Sequence, residues 1–229
     1  MLIKKLIIVI LFIAIVPYYA FSMNIGIGFK GGVSFPYFVG DDYKTQAENW
    51  MAPYPADTQP MVSFSGGAFT TFFLTQFLAV QPELLYTIAG GAYGEHNGYI
   101  NYDKVKYLEL PILVKGYLNV KNVKINLFVG PSILFLIGIP KWMIEYDDIQ
   151  FIDGEWVEDA FASHYFGFVF GGGIDFDLGE YLVTIDARYN LGLQTVMSDD
   201  PVELDWKQNN IQIMAGLAIK LGQFVNRYK

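Results

Sequence analysis

The feature that most constrains this chain is a two-residue alternation sustained over unusually long segments. In "YLVTIDARYNLGLQ" (Tyr181–Gln194), the odd positions are Tyr181, Val183, Ile185, Ala187, Tyr189, Leu191 and Leu193. The even positions include Thr184, Asp186, Arg188, Asn190 and Gln194. A period of two sends alternate side chains to opposite faces of a strand. The same pattern sets Phe166, Phe168, Phe170, Ile174, Phe176 and Leu178 against Tyr165, Gly167, Gly171, Gly173, Asp175 and Asp177. It also sets Ile211, Ile213, Leu217, Ile219 and Leu221 against Gln212, Met214, Gly216 and Lys220.

Eight strands are expected, near 24–35, 61–74, 78–89, 105–118, 123–136, 164–178, 181–194 and 210–222. Each is longer than the ~5–6 residues of an ordinary strand. That length suits a tilted membrane-crossing strand of ~9–11 residues with short extensions into water. The connections alternate in length. "TQF", "NVKN" and "GE" are short, whereas the stretches 36–60, 90–104, 137–163 and 195–209 are long. Short turns at one end and long loops at the other mark outer-membrane barrels. The most apolar later stretch, "INLFVGPSILFLIGIP", is shorter than the ~20 residues a membrane helix needs. It is also broken by Asn126, Gly130, Pro131 and Ser132.

The expected fold is therefore all-β, an eight-stranded antiparallel up-and-down transmembrane barrel. A soluble barrel would turn its apolar face inward. Here nearly every apolar face carries Phe, Ile and Leu, too much bulk for the narrow interior of an eight-stranded barrel. The apolar faces thus belong outside, against lipid. Pro82, Pro111 and Pro131 fall inside expected strands. Proline cannot donate to a ladder, so bulges or weakened pairing are expected there, and the faces can slip by one beyond each.

The first 22 residues have the form of a secretory signal peptide: a basic "MLIKK", an apolar "LIIVILFIAIV" and small Ala20 and Ser22 before Met23. Cleavage before Met23 would leave 23–229 as one barrel domain with a charge of −10; an uncleaved anchor is the alternative. Export points to the bacterial outer membrane. The chain has no cysteine, which excludes disulfides and thiol chemistry. Its net charge of −8 disfavours nucleic acid.

Ten charged residues fall on the interior face: Lys30, Glu83, Glu109, Lys115, Lys124, Asp175, Asp177, Asp186, Arg188 and Lys220. Facing lipid, a Lys or Arg near the midplane costs roughly 2–4 kcal/mol; inside, opposite charges can pair. A packed salt-bridge network is expected, with a polar conduit as the alternative. Glu109 and Lys115, both in "YLELPILVKGYL", lie too far apart along one strand to pair. Arg188 or Lys124 is the expected partner of Glu109.

The long loops hold 17 acidic residues against Lys44, Lys104, Lys141 and Lys207, a net of −13, and all four tryptophans (Trp50, Trp142, Trp156, Trp206). Solubility and an aromatic belt at the bilayer interface are one reading. A surface for a cationic partner or divalent cations is the other. The richest acidic stretch, Glu145–Asp159, lacks calcium-loop spacing. No catalytic set, metal site or cofactor is expected. His96 sits in "GEHNG", and Ser163 and His164, as neighbours on a strand, should point to opposite faces.

"GFKGGVSF", "VQPELLYT", "YLELPILVKGYL", "FVGPSILFLIG", "FGFVFGGGIDF" and "DARYNLGLQ", in that order, resemble the PorT-like outer-membrane barrel proteins, often labelled porin family. The resemblance implies the same eight-stranded barrel in the cell envelope. It brings no uniform activity and no catalytic residues; its founding type is associated with protein secretion. The chain departs from many outer-membrane proteins in not ending on an aromatic residue. "VNRYK" follows "AGLAIKLGQF", so the assembly signal is expected at Gly216–Phe224.

The expected function is a non-enzymatic structural, adhesive or interaction role carried by the loops, in a monomer surrounded by outer-membrane lipid. A channel for small or hydrophobic solutes and an accessory role in secretion are the alternatives.

Overall fold

A computed structural model describes residues 24–52, 58–96, 99–146, 149–156, 160–199, 202–203 and 205–221. The expected signal sequence, the end of the expected assembly signal and several loop acids (Asp57, Asp147, Asp148, Glu158, Asp159, Asp200) lie outside these residues.

The elements are β1 (Asn24–Val39), α1 (Asp41–Met51), β2 (Thr58–Gln59), β3 (Ser63–Phe73), β4 (Leu78–His96), β5 (Tyr99–Val120) and β6 (Val123–Leu136). They continue with β7 (Lys141–Tyr146), β8 (Ile149–Glu155), β9 (His164–Leu178), β10 (Tyr181–Thr195), β11 (Ser198–Asp199), β12 (Val202–Glu203) and β13 (Lys207–Leu221). Eight of the strands form a ring in the order β1, β3, β4, β5, β6, β9, β10, β13, every neighbour antiparallel. Pairing of β1 with β13, from Ile25↔Leu221 to Val39↔Lys207, closes it. Closure leaves no ring strand with an open edge, so the ladder hydrogen bonds are satisfied within the protein, as hydrocarbon requires.

The alternation decides which way each side chain points. On β5, Tyr107, Glu109, Leu113, Lys115 and Tyr117 are buried, while Ile112, Val114 and Leu118 are exposed. On β6 and β9, Leu127, Val129, Phe166, Phe168, Phe170 and Ile174 point outward. The exterior is an apolar girdle and the interior is mixed and polar.

The three prolines weaken the wall without shifting it. The β4–β5 ladder runs to Pro82↔Ile112 and resumes at Leu85↔Glu109 in the same register. The β5–β6 ladder runs to Pro111↔Ser132 and resumes at Val114↔Val129, again unshifted. There is no bulge at these sites and no slip of face beyond them. Each missing N–H removes a rung, but the neighbouring rungs hold the strands in line. Pro111 itself is buried and belongs to the inward-facing row of β5, between Glu109 and Leu113.

Several loop regions carry regular structure that period-two reading leaves blank. Residues 41–51 form α1, which begins after Gly40. Gly40 has φ +135°, and a Cβ there would lie 1.5 Å from the Asp205 carbonyl oxygen, so only glycine fits. β5 overruns β6: its first residues, Tyr99–Lys104, pair with β7, which pairs with β8. The acidic stretch expected as an open loop is therefore largely a hairpin that carries the sheet past the ring.

Candidate functional site

The interior holds its charges in separate groups. The central one joins three strands. Lys30 of β1 donates from Nζ to Glu83 Oε1 at 2.9 Å and to Asp186 Oδ2 at 2.8 Å. Arg188 donates from Nη1 to Glu83 Oε2 at 2.6 Å, from Nη2 to Glu83 Oε1 at 3.2 Å and from Nε to Asp186 Oδ1 at 2.9 Å. Two residues apart on β10, Asp186 and Arg188 share the inner face. Gln81 Nε2 donates to Glu83 Oε1 at 2.6 Å, and Thr71 donates to Gln81 at 2.8 Å. Aromatic rings cover the cations: Lys30 Nζ lies 4.8 Å from the Phe69 centroid and Arg188 Cζ 5.2 Å from that of Phe128. Such a buried network is worth keeping only if its members are paired and hydrogen-bonded, and these are.

Nearer the short-turn end, Lys115 Nζ lies 3.4 Å from Asp175 Oδ2. Tyr117 Oη donates to the same oxygen at 3.0 Å, and Asn126 Nδ2 donates to Oδ1 at 3.2 Å. Lower still, Asp177 takes both Lys124, at 3.1 Å, and Lys220. Asp177 and Lys124 are partly exposed there, as befits the end of a strand barrel.

Glu109 corrects the sequence reading. Arg188 is committed to Glu83 and Asp186, and Lys124 to Asp177. Glu109 instead accepts neutral hydrogen bonds from Thr87 Oγ1 at 2.9 Å and Asn190 Nδ2 at 2.7 Å. Thr87, Asn190, Gln81 and Asn126 were legible only as polar members of an inner face. Nothing in the sequence says which pair meets across a ring.

Above the charges sits an apolar cap. Phe38, Tyr43, Ala47, Tyr93, Tyr107, Phe161, Tyr165 and Trp206 are all buried in one cluster. Ring centroids are 4.6 Å apart for Tyr43 and Trp206, 5.1 Å for Phe38 and Tyr43, and 5.6 Å for Phe38 and Trp206. Tyr43 and Ala47 arrive on α1 and Trp206 from just before β13, so the long loops turn inward over the mouth. Trp206 and Trp156 are thus cap residues rather than members of an interface belt. Gln208 ties the cap to the wall, accepting from Gly90 N at 3.0 Å and donating to the carbonyls of Gly90 and Tyr37.

Asp103 is buried in the β5 overrun beneath the cap, beyond the apolar girdle. It accepts a hydrogen bond from Trp156 Nε1 at 3.1 Å. Burial pushes its carboxyl up to about 7, and the Trp156 bond offsets this only in part.

Ser163 and His164 also differ from expectation. Ser163 lies in the bend before β9, where strand alternation does not apply, and its Oγ is 3.1 Å from His164 Nδ1. The pair is exposed, and the imidazole's ring neighbours are Phe135 and Phe166. Among the described residues no group of three or more His, Asp or Glu is placed to hold a metal ion.

A closed antiparallel ring with an apolar exterior and a charged interior defines an outer-membrane barrel. Residues 21–198 match the family described as outer membrane protein beta-barrel domain, and the chain belongs to that family. No curated protein sequence matches it. Among solved structures it is similar to Neisserial surface protein A (10% identity, 85% of this chain and 97% of that one, TM-score 0.47). It is also similar to Ail of Yersinia pestis (13%, 87% and 99%, TM-score 0.41) and to OprG of Pseudomonas aeruginosa (10%, 88% and 96%, TM-score 0.40).

Proposed function

We propose that this is a non-enzymatic outer-membrane barrel, exported by its N-terminal signal sequence, whose long acidic loops form an extracellular interaction or adhesion surface. The observation that carries this reading is a doubly obstructed interior: the Lys30–Glu83–Asp186–Arg188 network and, above it, the aromatic cap. With the interior filled, the surface available for function is the outside. There the β7–β8 hairpin stands past the ring, and among the described residues β8 pairs only with β7. An unpaired strand edge is a template for an extended partner segment, and the loop charge of −13 favours a cationic one. The six segments that resemble PorT-like proteins fit this reading, and an accessory role in secretion would use the same surface.

The test is photocrosslinking on intact cells, with and without a short turn replacing residues 141–155. Crosslinks from the intact protein that disappear on hairpin removal, while the barrel still assembles, are expected. Crosslinks that persist unchanged would overturn the assignment.

A further inference from the structure

The wall of the ring is irregular where β5 changes partner. Leu136 pairs with Tyr107, and Ile137 N donates to the Lys106 carbonyl at 2.8 Å. Pairing resumes at Lys141↔Lys104. Gly138, Ile139 and Pro140 therefore stand opposite Val105 alone, and the excess chain must bow away from the sheet. Gly138 takes φ +77° with open space around it, which permits the bend. On the other side, Leu136 N donates to Ser163 O at 2.9 Å, the last rung towards β9, while Ala162 N turns away to Val196 O. Between the two diverging segments lies a cleft of about 540 Å³ lined by Leu136, Gly138, Ile139, Pro140, Phe161, Ala162 and Ser163. Its walls are mostly apolar, and Ile137 and Ile139 beside it are exposed.

Next to this cleft the charge reverses. Lys104 and Lys106 are two residues apart on β5 and share its outward face. Lys141 is the register partner of Lys104, on the same face of the sheet. Register and parity thus place three lysines on one outward stretch of the sheet at the upper edge of the apolar girdle, in a chain of net charge −8. Two carboxylates border them: Glu155 lies 3.7 Å from Lys141, and Glu145 shares a small cleft with Lys104. Lys106 is exposed on the outer surface. Lysines at this level sit where lipid phosphates lie, and each is attracted by them.

We propose that this patch and cleft form a binding site for a phosphorylated membrane lipid, with the phosphate on Lys104, Lys106 and Lys141 and one acyl chain turned into the cleft. The two halves flank the bowed segment, about one strand spacing (~5 Å) apart, within reach of one amphiphile. A free anion would have no use for the apolar half, and a neutral lipid none for the lysines. The cleft backs onto the aromatic cap through Phe161 and Leu136, whereas the lysines lie on the outward face, and the site does not depend on the role of the acidic loops.

The test uses the full chain in neutral detergent, with native mass spectrometry and titration of bisphosphorylated lipid A. The expected result is saturable binding that the Lys104→Gln/Lys106→Gln variant weakens about twenty-five-fold, from roughly fivefold losses at each lysine. Ala162→Phe, which fills the cleft, should weaken it as well, and lipid A stripped of phosphate should bind as poorly as the lysine variant. A heat-induced gel shift reports whether each variant is folded; Lys141→Gln, on an exposed side chain, is the second lysine variant. Equal binding by stripped lipid, or by the folded lysine variants, would overturn the proposal. Full displacement by inorganic phosphate would make the site one for a free anion, and unchanged binding by folded Ala162→Phe would remove the acyl half; either result overturns the lipid assignment.

Discussion

Arg188 of β10 and Glu83 of β4 meet across the interior of the ring, with Nη1 2.6 Å from Oε2 and Nη2 3.2 Å from Oε1. The forked contact locks two walls of the barrel together, and Lys30 and Asp186 complete a balanced set of two positive and two negative charges.

Removing one member should be costly, because it leaves an uncompensated buried charge. Arg188→Met is expected to destabilise the folded barrel by about 3–5 kcal/mol. Glu83→Gln combined with Arg188→Met leaves Lys30 paired with Asp186, and should cost less than Arg188→Met alone. Urea unfolding in lipid vesicles, followed by tryptophan fluorescence, measures both. A double variant less stable than the Arg188 variant would contradict the pairing.

Glu109 takes its hydrogen bonds from neutral donors and feels the Arg188 charge only at a distance, so its acceptor oxygens matter more than a direct ion pair. Glu109→Leu strands Thr87 and Asn190 and should cost ~1–3 kcal/mol. Glu109→Gln keeps an acceptor and should cost clearly less. Equal losses in the same unfolding assay would show that the charge itself is what counts.

Asp103 should make the cap sensitive to pH. Its folded value is raised from 3.8 to about 7 because burial penalises the charged carboxylate. The folded state therefore holds the proton more tightly than the unfolded one. This contribution is whole below the unfolded value of 3.8 and is lost as pH rises through about 7. Limited proteolysis of the loops should be slower at pH 5 than at pH 8. Asp103→Asn keeps an acceptor for Trp156 and should abolish the difference.

The proline gaps predict a soft stretch of wall. Hydrogen exchange in nanodiscs should show less protection for Leu84 and Leu110, between the interrupted rungs of β4 and β5, than for the continuous β1–β13 ladder. Uniform protection across both would mean that the missing rungs are replaced by bonds outside the register.

The strands were legible because a barrel wall separates two unlike surroundings, and residues such as Phe168 and Arg188 can satisfy only one of them. Parity also survived the prolines, since a lost rung does not move its neighbours. The cap was not legible: Tyr43, Phe161 and Trp206 lie in different loops and share no period, and only closure of the ring brings them together. The β7–β8 hairpin was hidden for a related reason. Lys141 and Met143 share one face and Trp142 and Ile144 the other, so neither face reads as clearly apolar. Partner choice in the interior was hidden as well, because Glu109 and Arg188 share a parity that any of several pairings would satisfy.

The most direct test is the conductance of the purified barrel in a planar bilayer. An interior filled by the Lys30–Glu83–Asp186–Arg188 network and closed by the aromatic cap predicts a baseline without steady unitary steps. Large, stable single-channel steps from the folded wild-type protein would contradict it.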